Sequence, residues 1–566
     1  MKKTKYLFSL LMGVLLATSC SKKIADKEAN PNNPSSVPPN LILGTILTEM
    51  SGTSQDGSTG IGALGGVNSW DNVHDWNQYH CQNYNYYGNN IYSWTNGSTE
   101  TENGIPNISD GPFNCYLVIK NVLKMDSEVT VRQGPAAALN PYEALGRFIK
   151  AYYFYNMTML MGDVPLTQAL QAPSNFTPSY TPQEQVFQYV LSQLDSANSD
   201  LATLISAQDN TLSASQDIYY GGNLTQWQKA VNSFKLRVLV ELSPKAADAN
   251  LNVPAQFAAI LGNPVKYPIF TSEADDLAFV YNPGGSNTFS TYPFNPSNFG
   301  SIAGRFNMAA TYVSALTTIN DPRVFITCDP AWTLFKNDSA NPVQNPAQYQ
   351  YFVGASTGLS LGTMYANASA GLYSFIGRKR YYSNFTGDPN VLIGYKEMLF
   401  NIAEGIERGW ATAGTAESWY KNGIIESMKF YGIDVTQTNF TAWFLPPTAN
   451  AVTQVKPYPF TFSWATYYTQ PGVQLSSNQA TAIQQIVLQK YIAMFETSGY
   501  EPYYNWRRTG VPVFQGGSGV GNNGVVPVRW AYPVTEQVQN TKNWQAALSN
   551  QGFTADDLNQ KIWLLK

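Results

Sequence analysis

Two helix starts written in almost the same way set the fold class of this chain. LNPYEALG at 139–146 and YTPQEQVF at 180–187 each place a small polar residue, Asn140 or Thr181, directly before a proline and a glutamate two residues after it. A polar N-cap accepts from the free amides of the first turn. Proline at the first helical position loses no bond, because that amide has no partner, and glutamate at the third position closes a capping box. Behind each start, apolar residues recur every three or four positions: Leu145, Phe148, Tyr152, Tyr155 and Met159 in the first, Val186, Val190, Leu191 and Leu194 in the second. Three more stripes follow. They run through Trp227, Val231, Phe234, Val238 and Leu242, then Leu399, Ile402, Ala403 and Ile406, then Ile483, Val487, Tyr491 and Met494. One-faced helices must bury that face against something, and here the most abundant partners are each other. The expectation is a mostly α protein with few short strands.

Between about 251 and 390 the periodicity stops. Gly, Pro, Asn, Ser and Tyr dominate, as in YNPGGSNTFSTYPFNPSNFG, and a second glycine-rich stretch, QGGSGVGNNG, covers 515–524. Loops of such length in a folded chain are commonly functional. The organisation expected is one domain over 41–566, with helical parts near 41–250 and 391–566 and a loop-rich insertion near 251–390. Ahead of it, SKKIADKEANPNNPSSVPPN at 21–40 has no packable face and reads as a tether. The first residues read as an export leader, 1–19: Lys2, Lys3 and Lys5, then an apolar run from Tyr6 to Ala17, too short to span a bilayer. Ala17, Thr18 and Ser19 lead into Cys20, which resembles a bacterial lipobox, with cleavage before Cys20 and acylation of its thiol. An ordinary secretory signal is the competing reading. No later stretch of sequence is long and apolar enough to span a membrane, so membrane contact is expected through the N-terminal lipid only, and lasting anchorage needs more than one acyl chain.

Charged residues make up 13% of the chain and aromatic ones 14%, and the leader's three lysines, once removed, take the formal charge from −4 to −7. A mildly acidic chain with no basic block argues against nucleic acid as a partner. A polar, uncharged, ring-rich surface suits neutral, hydroxyl-rich ligands. The densest such segment is WDNVHDWNQYHCQNYNYYGNNIYSW at 70–94, whose Trp70, Trp76, Tyr79, Tyr84, Tyr86, Tyr87 and Trp94 are interleaved with Asn and Gln. Sugars stack apolar C–H faces on rings and match their hydroxyls to amides, so these residues are candidate ligand contacts, with Tyr281 and Tyr292 beside Phe294 as a second set. The competing reading for any one ring is core packing.

Catalytic and metal chemistry find little support. The two histidines, His74 and His80, do not have zinc-ligand spacing, and the chain lacks G-x-S-x-G, H-E-x-x-H and Walker A patterns. No metal, cofactor or catalytic residue is expected, although a carboxylate-pair glycosidase needs no fixed spacing. Glu404 and Glu407 read as partners of Arg408 or as helix caps. Trp506, Arg507 and Arg508 read as a buried brace, Gly162, Asp163 and Pro165 as a helix stop, and Tyr532, Pro533 and Glu536 as packing of the terminal segment. With Cys20 acylated, Cys81, Cys115 and Cys328 allow at most one disulfide. Cys81 with Cys115 is the leading pair, and buried free thiols are the stronger expectation.

Several separated segments converge on one resemblance: NPNNPSSVPPNLIL, ALGRFIKAYYFYNMTMLMGDVPLTQAL, WQKAVNSFKLRVLVELS, YKEMLFNIAEGIERGW with YKNGIIESMKFYGI, the DPR at Asp321 to Arg323, IVLQKYIAMFETSGYEPYYNWRRTGVP and VRWAYPVTEQVQNTKNW. In this order they resemble the SusD/RagB-type outer-membrane lipoproteins of the Bacteroidota, closest to the SusD-like branch. The resemblance implies a tetratricopeptide-like scaffold of helical pairs carrying long irregular ligand-binding loops. It also implies a lipid-anchored position on the outer membrane, facing the cell exterior, as a lid over a SusC-like TonB-dependent β-barrel transporter. Such proteins capture oligosaccharides, or in some cases peptides, without chemistry. A surface glycoside hydrolase is the rival from another class.

Overall fold

The apolar stripes do become packed helices. The computed structural model describes residues 36–51, 76–83, 111–134, 139–282, 291–338, 344–497 and 499–566, and about half of the chain is helical with few short strands. Cys20, Trp70, His74, Tyr84, Tyr86, Tyr87 and Trp94 lie outside those residues. The helices that build the first part are α1 (Pro39–Met50), α2 (Cys115–Gln133), α3 (Pro141–Met161), α4 (Gln183–Ser206), α5 (Leu224–Glu241) and α6 (Val253–Gly262). Each packs on the next in sequence, as tetratricopeptide-like helical pairs do. All five stripe residues of α3 are buried, and each such side chain contributes ~1.5–3 kcal/mol of transfer free energy.

The two matching helix starts end differently. Asn140 caps α3 as expected, its Oδ1 accepting from the Glu143 amide at 3.0 Å. Thr181 does not cap α4. It pairs instead with Val164 in an isolated bridge. The cap on α4 comes from Asp163, whose Oδ1 accepts from the Gln183 amide at 2.9 Å. Gly162, with φ +93°, ends α3 and turns the chain so that Asp163 reaches the next helix. Burial pushes the Asp163 carboxyl up to about 6, and the amide of Gln183 opposes that shift. Tyr532 Oη donates to the Asp163 carbonyl at 2.7 Å, and Tyr180 Oη donates to Glu536 at 2.8 Å, which docks the terminal segment.

The later part is carried by α7 (Tyr395–Glu407), α8 (Ala416–Phe430), α9 (Gln479–Ala493) and α10 (Glu501–Thr509). α7 packs on α8 and α9, and also on α5, which joins the two helical parts. Their contact is polar at its centre. Arg237 Nε on α5 donates to Glu397 on α7 at 2.7 Å, and Lys490 of α9 stands 3.5 Å from Glu501 of α10. Arg508 binds Glu404 and lies 3.4 Å from Glu241. The side chains of all of these groups are no more than 5% exposed. Buried charges persist when each is paired and hydrogen-bonded, and removing one partner strands the other.

The segment between the helical parts holds short helices and most of the strands. β1 (His80–Gln82), β3 (Phe306–Met308), β4 (Cys328–Asp329) and β5 (Phe375–Ile376) form one antiparallel sheet in the order β1-β3-β5-β4. β2 (Leu277–Phe279) pairs with β6 (Asn390–Ile393), and β7 (Asn439–Phe444) with β8 (Lys456–Thr461), both antiparallel. The DPR turn is locked beside this region. Arg323 donates through Nε to Asp321 at 2.9 Å, and through its terminal nitrogens to Ser427 and Gln489 at 2.7 and 2.6 Å. Cys81, Cys115 and Cys328 are buried thiols, and the Cys81–Cys115 disulfide does not form.

Candidate functional site

Of the nine aromatic candidates, the structure describes four, and it places all four in the core rather than at a surface. Trp76 is enclosed by Trp530 at 4.4 Å, Tyr500 at 5.3 Å and Tyr503 at 6.3 Å between ring centroids. Tyr79 stacks on Tyr491 at 4.7 Å and donates its hydroxyl to the Tyr491 carbonyl at 2.7 Å. Tyr281 and Tyr292 meet edge to face at 5.2 Å, and both are buried. The interleaved amides are used in the same way. Asn77 bonds Gly499 and Tyr503, and Gln78 bonds Thr311 and Gln515. A ring with no exposed face offers nothing to a ligand, so for Trp76, Tyr79, Tyr281 and Tyr292 the structure corrects the sequence expectation in favour of packing. His80 is likewise buried, 2.7 Å from Glu496.

A surface with the expected chemistry lies elsewhere, between the sheet and the β7–β8 hairpin. A cleft of about 510 Å³ is lined by Trp332, Tyr373, Phe375 and Arg378 and by Leu445, Pro446, Pro447, Ala449 and Asn450, just beyond β7. That volume falls in the range of small-ligand sites. Trp332 begins a short helix, Trp332–Asn337. The Ala331 amide donates to the Tyr351 carbonyl at 2.7 Å, and Thr333 Oγ1 donates to the Ala370 carbonyl at 2.7 Å, which fixes the indole's base. Gly371 permits this approach: its φ is +69°, and a Cβ there would stand 2.6 Å from Thr333 Oγ1. Trp332 is half-buried, against Phe335 at 5.9 Å and Tyr458 at 6.4 Å. Its Nε1–H has no acceptor among the described residues.

The cleft's electrostatics follow from β4 and β5, which set Asp329 opposite Phe375. The Arg378 guanidinium lies 4.3 Å from the Phe375 ring centroid, donates to Asp329 Oδ2 at 3.0 Å, and reaches the Ala303 carbonyl at 3.3 Å. Burial pushes the Asp329 carboxyl up to about 6, and Arg378 opposes that shift. Arg378 is therefore largely compensated, and the exposed Lys336 on the lining makes no ion pair among the described residues. No carboxylate stands among the described lining residues. Such a surface can stack sugar-like faces and hydrogen-bond hydroxyls, and it presents no acid–base carboxylate pair.

Arg508 lies in a buried brace and Glu404 pairs with Arg408 at 2.7 Å, both as the sequence suggested; Glu404 also joins the brace through Arg508, which the sequence did not suggest, and Glu407 does not pair with Arg408 among the described residues. Sequence reasoning passed over Trp332. The signal was present, since it is the only tryptophan between 251 and 390, in a segment already marked by Gly, Pro and Asn.

Comparison with known proteins agrees with this architecture. The SusD-like family model described as "Starch-binding associating with outer membrane" matches residues 65–533. No curated protein gives a match. Among solved structures, a SusD homolog from Bacteroides fragilis NCTC 9343 superposes with a TM-score of 0.71 at 25% identity, covering 94% of this chain and 100% of that one. A candidate outer membrane protein for nutrient binding from Bacteroides vulgatus ATCC 8482 gives 0.70 at 27%, covering 94% and 100%. A chitin-binding SusD homolog from Flavobacterium johnsoniae gives 0.65 at 19%, covering 93% and 98%, and so speaks to the fold alone.

Proposed function

This chain belongs to the SusD-like family of outer-membrane-associated binding proteins, and on that premise we propose that it is a cell-surface lipoprotein, anchored through Cys20, that captures an oligosaccharide and delivers it to a SusC-like TonB-dependent transporter. The observation that carries the glycan reading is the Trp332 cleft, with its half-buried indole beside the half-buried Phe375 and no lining carboxylate among the described residues. The family's printed starch-binding description supports a neutral polysaccharide in the same direction. Trp70, Tyr84, Tyr86, Tyr87 and Trp94 are proposed as further contacts on their ring-and-amide composition alone.

Isothermal titration with maltooligosaccharides, chitooligosaccharides and a mixed peptide pool tests this reading. The expected outcome is binding of oligosaccharides without their hydrolysis, weakened about tenfold or more by Trp332→Ala, as for truncation of an aromatic anchor. The melting temperature of the variant should stay close to that of the parent. Binding of peptides alone would overturn the glycan assignment. Release of reducing sugar that a single Glu→Gln change abolishes would replace capture with hydrolysis. Protease shaving of intact cells checks the outward orientation, and a fully protected protein would refute it.

A further inference from the structure

The β7–β8 hairpin carries a second cleft at its opposite end, and nothing in the family assignment calls for it. Where the Trp332 cleft uses the residues just beyond β7, this one uses the start of β7 and the end of β8: Asn439 and Phe440 with Phe460, facing Gln348, Tyr349 and Gln350. Its volume is about 540 Å³. Phe440 stacks on Phe460 at 5.4 Å with 22° between planes, and Phe325 bridges Phe460 and Tyr349 at 4.9 and 4.7 Å. Phe440 and Tyr349 are half-buried, while Gln350 and Asn439 are exposed. Gln350 Nε2 donates to Gln348 Oε1 at 2.9 Å, and Asn345 Nδ2 donates to the Pro459 carbonyl at 2.7 Å, which ties the amide-bearing segment to the hairpin. No Asp, Glu, Lys or Arg stands among the described lining residues. Rings and amides without a charge reward neutral, hydroxyl-rich surfaces and give an ion nothing to pair with.

The two clefts lie at opposite ends of the hairpin, and between them its inner face is packed, with Ala442 and Phe444 fully buried. Tyr458 and Phe460 are two residues apart on β8 and so point the same way. Tyr458 meets Trp332 of the first cleft at 6.4 Å, and Phe460 meets Phe325 of the second. β7 runs from Asn439 to Phe444, five steps at about 3.4 Å each, so the clefts are separated by roughly 17 Å of strand.

We propose that the second cleft is a second subsite for the same neutral oligosaccharide, so that a chain long enough to follow the hairpin occupies both clefts at once. This rests on the glycan reading above. Its consequence is length selection. Once one end is held, the other binds at an effective concentration in the millimolar range, and the combined affinity exceeds that of either cleft with no new contact within them. A disaccharide, too short to bridge the clefts, gains nothing.

The experiment is titration of the full mature chain with maltose through maltoheptaose and chitobiose through chitohexaose. The parent protein is compared with Trp332→Ala, with Tyr349→Ala, and with the doubly substituted Gln350→Ala/Asn439→Ala, whose side chains are exposed and whose fold is not in question. The expected result is at least tenfold tighter binding of the longest chain than of the disaccharide in the parent. Tyr349→Ala and the double variant should bring the longest chain down to disaccharide affinity, while Trp332→Ala should weaken every length. Equal affinity at all lengths in the parent, or a length gain that survives both second-cleft variants, overturns the second subsite and leaves the glycan reading standing. Failure of every sugar to bind removes the glycan reading and this inference together.

Discussion

Glu404→Gln is the substitution that most directly measures the buried brace joining α5, α7, α9 and α10. The Glu404 carboxylate is fully buried on α7. Its Oε1 accepts from Arg408 Nε and Nη2 at 2.9 and 2.7 Å and from Arg508 Nη1, and its Oε2 accepts from Arg508 Nη2 at 3.0 Å. Burial by itself raises the pKa of such a group. Here the Arg508 guanidinium, with Arg408 behind it, outweighs burial and holds Glu404 at about 2 against an ordinary 4.5. At 1.36 kcal/mol per pK unit, that gap is worth about 3 kcal/mol. Because the folded-state pKa lies below the unfolded one, this stability is fully present above pH 4.5 and is lost as pH falls from 4.5 towards 2. The amide keeps the shape of the carboxylate and removes its charge, leaving Arg508 with Glu241, whose carboxyl burial has pushed up to about 7. A chain of 566 residues unfolds with an entropy of about 1.2 kcal/mol per degree, so 3 kcal/mol lowers the melting temperature by ~2–3 °C. Calorimetry of both proteins from pH 7.5 to pH 3 is the assay. The gap between them should be widest at neutral pH and should narrow as pH falls below 4.5. A difference under 1 °C at pH 7.5, or one that does not change with pH, refutes the reasoning.

Trp76→Ala is expected to cost about 3–5 kcal/mol of stability, as for other aromatic truncations in a core, and a calorimetric loss under 1 kcal/mol would return Trp76 to the ligand surface. Gly371→Ala forces a side chain into a left-handed conformation against Thr333, at a cost of ~1 kcal/mol or more, and is expected to weaken oligosaccharide binding by moving the base of Trp332, a change read by titration and calorimetry together. Cys81, Cys115 and Cys328 are buried, and burial pushes the Cys328 thiol up to about 12 and Cys115 higher still. A thiol reagent such as Ellman's is therefore expected to find no reactive group in the native mature chain and three after unfolding. A count of one after unfolding would reveal a disulfide.

Helices were legible because the information that makes them is local. A stripe such as Trp227, Val231, Phe234 and Val238 names its own buried face, and Asn140 with Glu143 names its own start. Thr181 shows where this fails: the α4 cap is Asp163, delivered from the end of α3 by a turn that no short window of sequence contains. The buried role of Arg508 was readable as a tendency of arginine among aromatics, while its partners on α5 and α7 were not.

The amino-acid sequence by itself determined the helical class, the order of the helices and the place of the irregular insertion, because periodicity and capping act over a few residues. Only the tertiary structure decided which rings face a ligand. Tyr79 and Trp76 are covered by Tyr491 and Trp530, partners more than 400 positions away in the chain, and the same ring is a contact or a core residue according to whether such a partner arrives. The Trp332 cleft is assembled from residues spread between Phe299 and Asn450, drawn from separate short elements that no short window of sequence contains together. Composition can say that a chain is rich in rings and amides. Which of them are left uncovered is settled by packing across the whole fold.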